Sequence, residues 1–101
     1  MIAKLTPNER TKAMKGLKKW RIARRGAAIS QSFKFNDFIE AWGFMNRVAL
    51  LAQSQDHHPE WFNVWNKVRV DLATHDAVGV TALDVKLAHS MDELAGRQTG
   101  R

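Results

Sequence analysis

The chain of 101 residues contains no cysteine. That excludes disulfides, thiolate zinc sites, iron–sulfur clusters and cysteine nucleophiles. No apolar run approaches the ~20 residues that a membrane-spanning helix needs. The opening Met1-Ile2-Ala3-Lys4-Leu5-Thr6 holds no apolar stretch of signal-peptide length. Acidic residues are scarce early in the chain. As far as Gly26, Glu9 stands alone against nine lysines and arginines, so this segment carries +8 and leaves −2 for the rest of a chain of net charge +6. A basic lobe can hold an anionic ligand or nucleic acid by charge alone. No aromatic stacking ladder or nucleic-acid motif accompanies this one, so a solvated face is the expectation and nucleic acid is not an expected partner. Together these features predict a soluble, cytoplasmic protein without a membrane contact. The length predicts one domain over 1–101, and an apolar fraction of 45% is ordinary for a globular chain.

The pattern that is present alternates helix and hairpin. Thr6-Pro7-Asn8-Glu9 predicts a capped helix running to about Leu17. Segments 20–23 and 27–35 predict two strands joined at Gly26, with Ile29, Gln31, Phe33 and Phe35 on one face. Asn36 is the expected cap of a helix over 37–55, which has no proline and one glycine. That helix is apolar on two sides, Phe38, Trp42, Met45, Ala49 and Ala52 on one, Ala41, Phe44, Val48 and Leu51 on the other. One sheet face covers only one of them. The second is a candidate subunit interface, with Phe44 and Val48 as its test positions, and the expected state is a homodimer or homotetramer. Segments 61–65 and 68–72 flank Asn66-Lys67 as a hairpin. Thr81 caps a last helix over 82–95, and 96–101 is expected to fray. The order is αββαββα, an α+β arrangement.

Three of four histidines are placed unusually. His57-His58-Pro59 joins the long helix to a strand, and His75 lies just past the hairpin that follows. A strand out and a strand back bring the three imidazoles towards one pocket. Imidazole suits proton transfer near neutral pH. Acid–base catalysis, a metal site and structural roles all stay open on these residues. Chelation by His57 and His58 is awkward, because neighbouring residues in extended chain point opposite ways, and no His-Glu-x-x-His spacing occurs. Asp84, third in the helix capped by Thr81, is explained by capping alone or as a carboxylate at the pocket rim. His89 falls on the polar side of that helix.

The stretch Asp56-His57-His58-Pro59-Glu60-Trp61-Phe62-Asn63-Val64, then Asn66-Lys67-Val68, Leu72, Thr74-His75, Gly79, Asp84 and Leu87-Ala88 resembles the pterin-4a-carbinolamine dehydratases. So do Phe33-Lys34-Phe35-Asn36-Asp37-Phe38 and 43–50. The resemblance implies a four-stranded antiparallel sheet with helices packed on one face. It implies dehydration of 4a-hydroxytetrahydrobiopterin to the quinonoid dihydrobiopterin, which recycles the pterin of aromatic amino acid hydroxylases, with no metal and no organic cofactor. By the same resemblance His57 and His75 protonate the departing hydroxyl from opposite faces of the ring. His58 binds substrate and assists at N5, and Asp84, Trp20 and Pro59 belong to the substrate pocket. Gln53 stands where the family motif usually has a charged residue, and Leu83 where some members have arginine. The competing reading is a non-catalytic interaction module, resembling relatives that bind a transcription factor through the helical surface, here 37–55.

Overall fold

A computed structural model describes residues 2–96. Helix α1 (Pro7–Met14) starts in a full capping box, Thr6 Oγ1 accepting from Glu9 N–H and Glu9 Oε1 from Thr6 N–H. It buries none of its residues and stops short of Leu17. The chain bends instead, Leu17 N–H donating to Met14 O and Trp20 N–H to Leu17 O. The bend carries Leu17 and Trp20 into the core. Burying those two side chains outweighs another turn of helix on a solvated face.

Strands β1 (Arg21–Ala23), β2 (Ala28–Lys34), β3 (Glu60–Val64) and β4 (Lys67–Leu72) form one antiparallel sheet in the order β1-β2-β4-β3. The joint between β1 and β2 is a short 3-10 turn, Arg24–Gly26, with φ of 49°, 55° and 95° at its three residues. The β3–β4 turn is Trp65-Asn66, one residue earlier than Asn66-Lys67, with Val64 paired to Lys67. Its register is pinned from outside the hairpin: buried Asn66 donates its side-chain amide to Phe35 O at 2.9 Å.

Period-2 alternation in the two central strands sets the core. Ile29, Gln31 and Phe33 pair with Leu72, Val70 and Val68, and all six are buried. That face meets helices α2 (Phe38–Gln55) and α3 (Ala82–Ala95), through Ala41, Phe44 and Val48 of the first and Leu87, Ala88 and Met91 of the second. Phe44 lies 4.8 Å from Phe33 and 5.1 Å from Phe35, centroid to centroid. The fold is α+β, as the sequence pattern predicts, with α2 and α3 on one face of the sheet, as the resemblance implies. The opposite face is solvated and carries Ser32, Lys34, Phe62 and Arg69.

Two expectations for α2 need correction. Asp37 caps it, accepting from Glu40 N–H at 2.9 Å, while Asn36 bonds the Glu40 carboxylate instead. Its two apolar sides also divide differently. Phe44 and Val48 are fully buried under the sheet together with Ala52, and the free side is Phe38, Ile39, Trp42 and Leu50. A charge at Phe44 or Val48 would therefore break the core before it tested assembly. Among the described residues no helix is long and apolar enough to cross a membrane. Of the tail expected to fray, 97–101 lies outside the described residues.

Candidate active site

The end of α2 positions the first two histidines. Asp56 takes a left-handed conformation (φ 51°), Asp56 N–H donates to Gln53 O and His57 N–H to Ala52 O. This is the Schellman closure, which satisfies the last carbonyls and turns the chain sharply. Aspartate tolerates that φ better than most residues. The turn folds His57 beneath the helix end and leaves His58 outside.

The third histidine comes from the far end of the hairpin. Beyond β4, Thr74 and Gly79 form an isolated antiparallel bridge that closes a loop around a 3-10 turn, His75–Ala77. Val78 ends that turn at φ 55°, which is costly for a β-branched side chain, on the order of 1–3 kcal/mol.

A cavity of about 390 Å³ lies between these two junctions, and His57, His58 and His75 all line it, with Asp56, Thr74, Asp76 and Leu83. Each imidazole presents Nε2 to an oxygen. His57 Nε2 lies 2.6 Å from Asp84 Oδ1, His58 Nε2 lies 2.9 Å from Gln53 Oε1, and His75 Nε2 lies 3.3 Å from Glu60 Oε2. A carboxylate only accepts, so His57 and His75 donate from Nε2, and the other ring nitrogen, Nδ1, takes no part in these bonds.

Asp84 is completely buried, and its charge is met entirely by donors. Beyond His57, Thr81 N–H and Thr74 Oγ1 both donate to Oδ2 at 2.8 Å. Because Thr74 spends its proton on Asp84, Thr81 Oγ1 donates to Thr74 across 2.7 Å and accepts from Leu83 N–H. The direction of every bond in this chain is set, and each buried polar atom in it has a partner. The resemblance assigned Asp84 to substrate binding. The structure places it behind His57 and off the cavity lining, where it accepts from the imidazole.

Trp20 and Pro59 do not line the cavity either. Trp20 packs edge-on against Phe33 and donates from Nε1 to Asp92 Oδ1, which also accepts from the buried Gln31 amide. Asp92 is eight residues beyond Asp84 on α3, ~12 Å along the axis. Trp20 is a core aromatic at the other end of that helix. Gln53, which stands where the family motif usually has a charged residue, partners His58.

The sequence reading missed Thr74, Glu60 and Arg24. Arg24 forms a bidentate pair with Glu60 at 2.7 and 3.0 Å and also reaches Asp71 at 3.1 Å. This holds the Glu60 carboxyl down at about 2, with hydrogen bonds from Arg24 and then His75 as the main causes. It also raises the Arg24 guanidinium above its usual range, chiefly through the Glu60 hydrogen bond. Glu60 sits inside the His-His-Pro-Glu run, but only the pairing of β3 with β4 brings it to His75, so no local spacing reveals the contact.

Fold and cavity define a class: a small α+β protein with three imidazoles lining one cavity. The family described as Pterin 4 alpha carbinolamine dehydratase matches residues 3–94. A relative from Novosphingobium aromaticivorans, provisionally named a pterin-4-alpha-carbinolamine dehydratase, is 52% identical over 91 residues, which is 90% of this chain and 95% of the relative. Another from Bradyrhizobium sp. (strain ORS 278), with the same provisional name, is 50% identical over 100 residues, covering 99% of this chain and 100% of the relative. The crystal structure of a "transcriptional coactivator/pterin dehydratase" from Brucella melitensis superposes with a TM-score of 0.89 at 49% identity, over 92% of this chain and 99% of that one. A pterin dehydratase-like RuBisCO assembly factor of the alpha-carboxysome shares the fold, with a TM-score of 0.67 at 22% identity over 77% of this chain and 90% of that one. The chain belongs to the pterin-4-alpha-carbinolamine dehydratase family.

Proposed function

We propose that this protein is a hydro-lyase that removes water from 4a-hydroxytetrahydrobiopterin to give the quinonoid dihydrobiopterin, in the recycling of the pterin used by aromatic amino acid hydroxylases. The observation that carries this reading is one cavity bordered by three imidazoles, two backed by carboxylates and one by an amide oxygen. Its volume falls in the range of small-ligand sites.

The reaction needs one proton delivered and one removed. An imidazolium at His57 or His75, depending on which face bears the hydroxyl, gives its Nδ1 proton to the leaving oxygen. The C4a–O bond breaks with its electron pair on oxygen, and water departs. N5 loses its proton to a base and forms the double bond to C4a. His58, whose neighbour Gln53 brings no charge, is the substrate-binding group and the base at N5. Positioned proton transfers of this kind typically supply 10²–10⁴-fold each, and the reading needs no metal and no organic cofactor. The test is the dehydration rate of both 4a-hydroxy epimers with and without the protein, in the presence of a chelator. Acceleration of both epimers supports the reading, and rates equal to background overturn it.

A second reading rests on the outer side of α2. Ile39 and Leu50 are 78% and 69% exposed, and Phe38 stacks on Trp42 in the open. A self-complementary apolar helix face suits a twofold contact with a second copy of the chain. Sedimentation is expected to show a dimer or larger at micromolar concentration, and Trp42→Lys to dissociate it with the rate of dehydration retained.

A further inference from the structure

The open face of the sheet carries a charged cluster that the mechanism above does not use. Arg24 sits in a left-handed conformation (φ 49°), followed by Arg25 at φ 55°. Non-glycine residues in this region persist when surrounding contacts over-determine them, and such strain gathers at functional sites. The contacts here are explicit. The guanidinium takes both oxygens of Glu60 and one of Asp71, and Asp71 in turn accepts from Ser30 Oγ at 2.6 Å. Glu60 and Asp71 are cross-strand partners on β3 and β4, and Ser30 on β2 is opposite Asp71. Glu60 of β3 and Asp71 of β4 thus converge on the guanidinium of the strained turn, and Glu60 Oε2 also meets His75 Nε2 at 3.3 Å.

His75 has little else to orient it. Its side chain is 80% exposed, on a turn. An imidazole in that setting samples several rotamers and both tautomers unless a partner selects one. A lone exposed carboxylate would be a poor partner, because holding two mobile side chains together costs entropy. A carboxylate already fixed by a bidentate guanidinium is different, since most of its freedom is spent before the histidine arrives.

We propose that Glu60, clamped by Arg24, is a positioning residue for His75: it holds the Nε2–H tautomer and aims Nδ1 at the cavity, as buried Asp84 does for His57. This rests on the dehydratase reading for its catalytic consequence but not for its structural one. It also bears on Gln53. The acid missing at that position concerns His58, whereas each of the two histidines assigned to the leaving hydroxyl keeps a carboxylate.

The experiment pairs ring ¹⁵N NMR of His75, identified by the signals lost in His75→Ala, with kinetics on the two separate 4a-hydroxy epimers. Glu60→Gln is expected to shift the His75 ring nitrogens from the Nε2–H pattern towards a tautomer mixture. It is expected to lower kcat roughly 10-fold, with KM little changed, for the epimer that His75→Ala impairs, and less than about 2-fold for the other. Glu60→Asp, which keeps the charge, is expected to recover part of that loss. Arg24→Gly removes the clamp while relaxing a positive-φ position, so an effect in the same direction cannot be laid to unfolding. Unchanged His75 nitrogens in Glu60→Gln overturn the proposal whatever the rates do. Equal slowing of both epimers overturns it too. If the wild-type protein accelerates neither epimer, the dehydratase reading falls, and the nitrogen spectrum still decides whether Glu60 sets the His75 tautomer.

Discussion

His57 and His75 border one cavity, each with Nε2 on a carboxylate, yet the two are held by different physics. Asp84 is wholly buried, and its oxygens are saturated by an imidazole, a hydroxyl and a backbone amide. Glu60 is 43% exposed, and its geometry comes from one arginine. Around Asp84 water has been replaced, so every lost bond leaves a group unpaired in a low-dielectric interior. Around Glu60 water can stand in for any partner, and a lost bond costs geometry more than stability. The same pairing is therefore part of the packed interior on one side of the cavity and of the solvated surface on the other.

The most severe test of this contrast is Asp84→Asn. An asparagine amide can keep its oxygen towards Thr81 N–H and Thr74, but then its NH₂ faces His57 Nε2. Two donors cannot bond, so His57 must move its proton to Nδ1 or turn away. Turnover through His57 is expected to fall by about 10²–10⁴-fold, as far as in His57→Ala, and denaturant unfolding to show a loss of about 1–3 kcal/mol. A helix cap alone would rank this change below the histidine variants; the buried network puts it level with His57→Ala. Glu60→Gln is the mirror experiment and is expected to cost under about 1 kcal/mol. Equal destabilisation by the two changes would erase the distinction.

Next in size are the histidines themselves. Because they are assigned to opposite faces of the ring, His57→Ala is expected to slow one 4a-hydroxy epimer and His75→Ala the other, each by roughly 10²-fold or more. The double variant is expected near the background rate for both epimers. His58→Ala is expected to raise KM as well as lower kcat. Epimer-blind losses in both single variants would show that the two imidazoles do not divide the faces between them.

Acid titration separates the two carboxylates by stability. Glu60 is held down at about 2 against an ordinary 4.5, mainly by its hydrogen bond from Arg24. A depressed carboxyl contributes stability that is fully present above the unfolded value and is lost as pH falls through the folded one. The Glu60 contribution to the stability difference between wild type and Glu60→Gln is therefore expected to shrink as pH falls between about 4.5 and 2. A difference that held unchanged from about pH 5 down to 2 would show that Glu60 is not held down by Arg24.

Much of this was legible in the residues, and what was not has a physical reason. Capping boxes at Thr6 and Thr81, the hairpin and the gathering of His57, His58 and His75 follow from local chemistry and period-2 alternation. Which apolar side of α2 is buried did not follow, because Phe44 and Trp42 are equally apolar in sequence, and only the sheet decides between them. At Trp20 the sequence leaves two readings open. A tryptophan beside a strand serves a pocket or a core equally well, and here Asp92 and Phe33 claim it. The partners behind the histidines were hidden for another reason. Glu60 and His75 are 15 residues apart, His57 and Asp84 are 27, and only strand pairing and helix docking close those gaps.

The smallest expected effect comes at His58, where the histidine is backed by an amide. Gln53 Oε1 lies 2.9 Å from His58 Nε2, on the exposed first turn beyond α2. Gln53→Glu keeps the length and the acceptor and adds a charge behind His58 alone. If His58 removes the N5 proton, a carboxylate there makes its imidazole a better proton acceptor and a slower proton donor. The site is open to water, so screening limits the gain, and a change of no more than about 3-fold in kcat is expected, equal for both epimers because N5 is common to them. Equality is the informative part. A gain confined to one epimer would mean that the new charge reaches His57 or His75, and the three imidazoles would then be one coupled unit instead of two acids and a separate base.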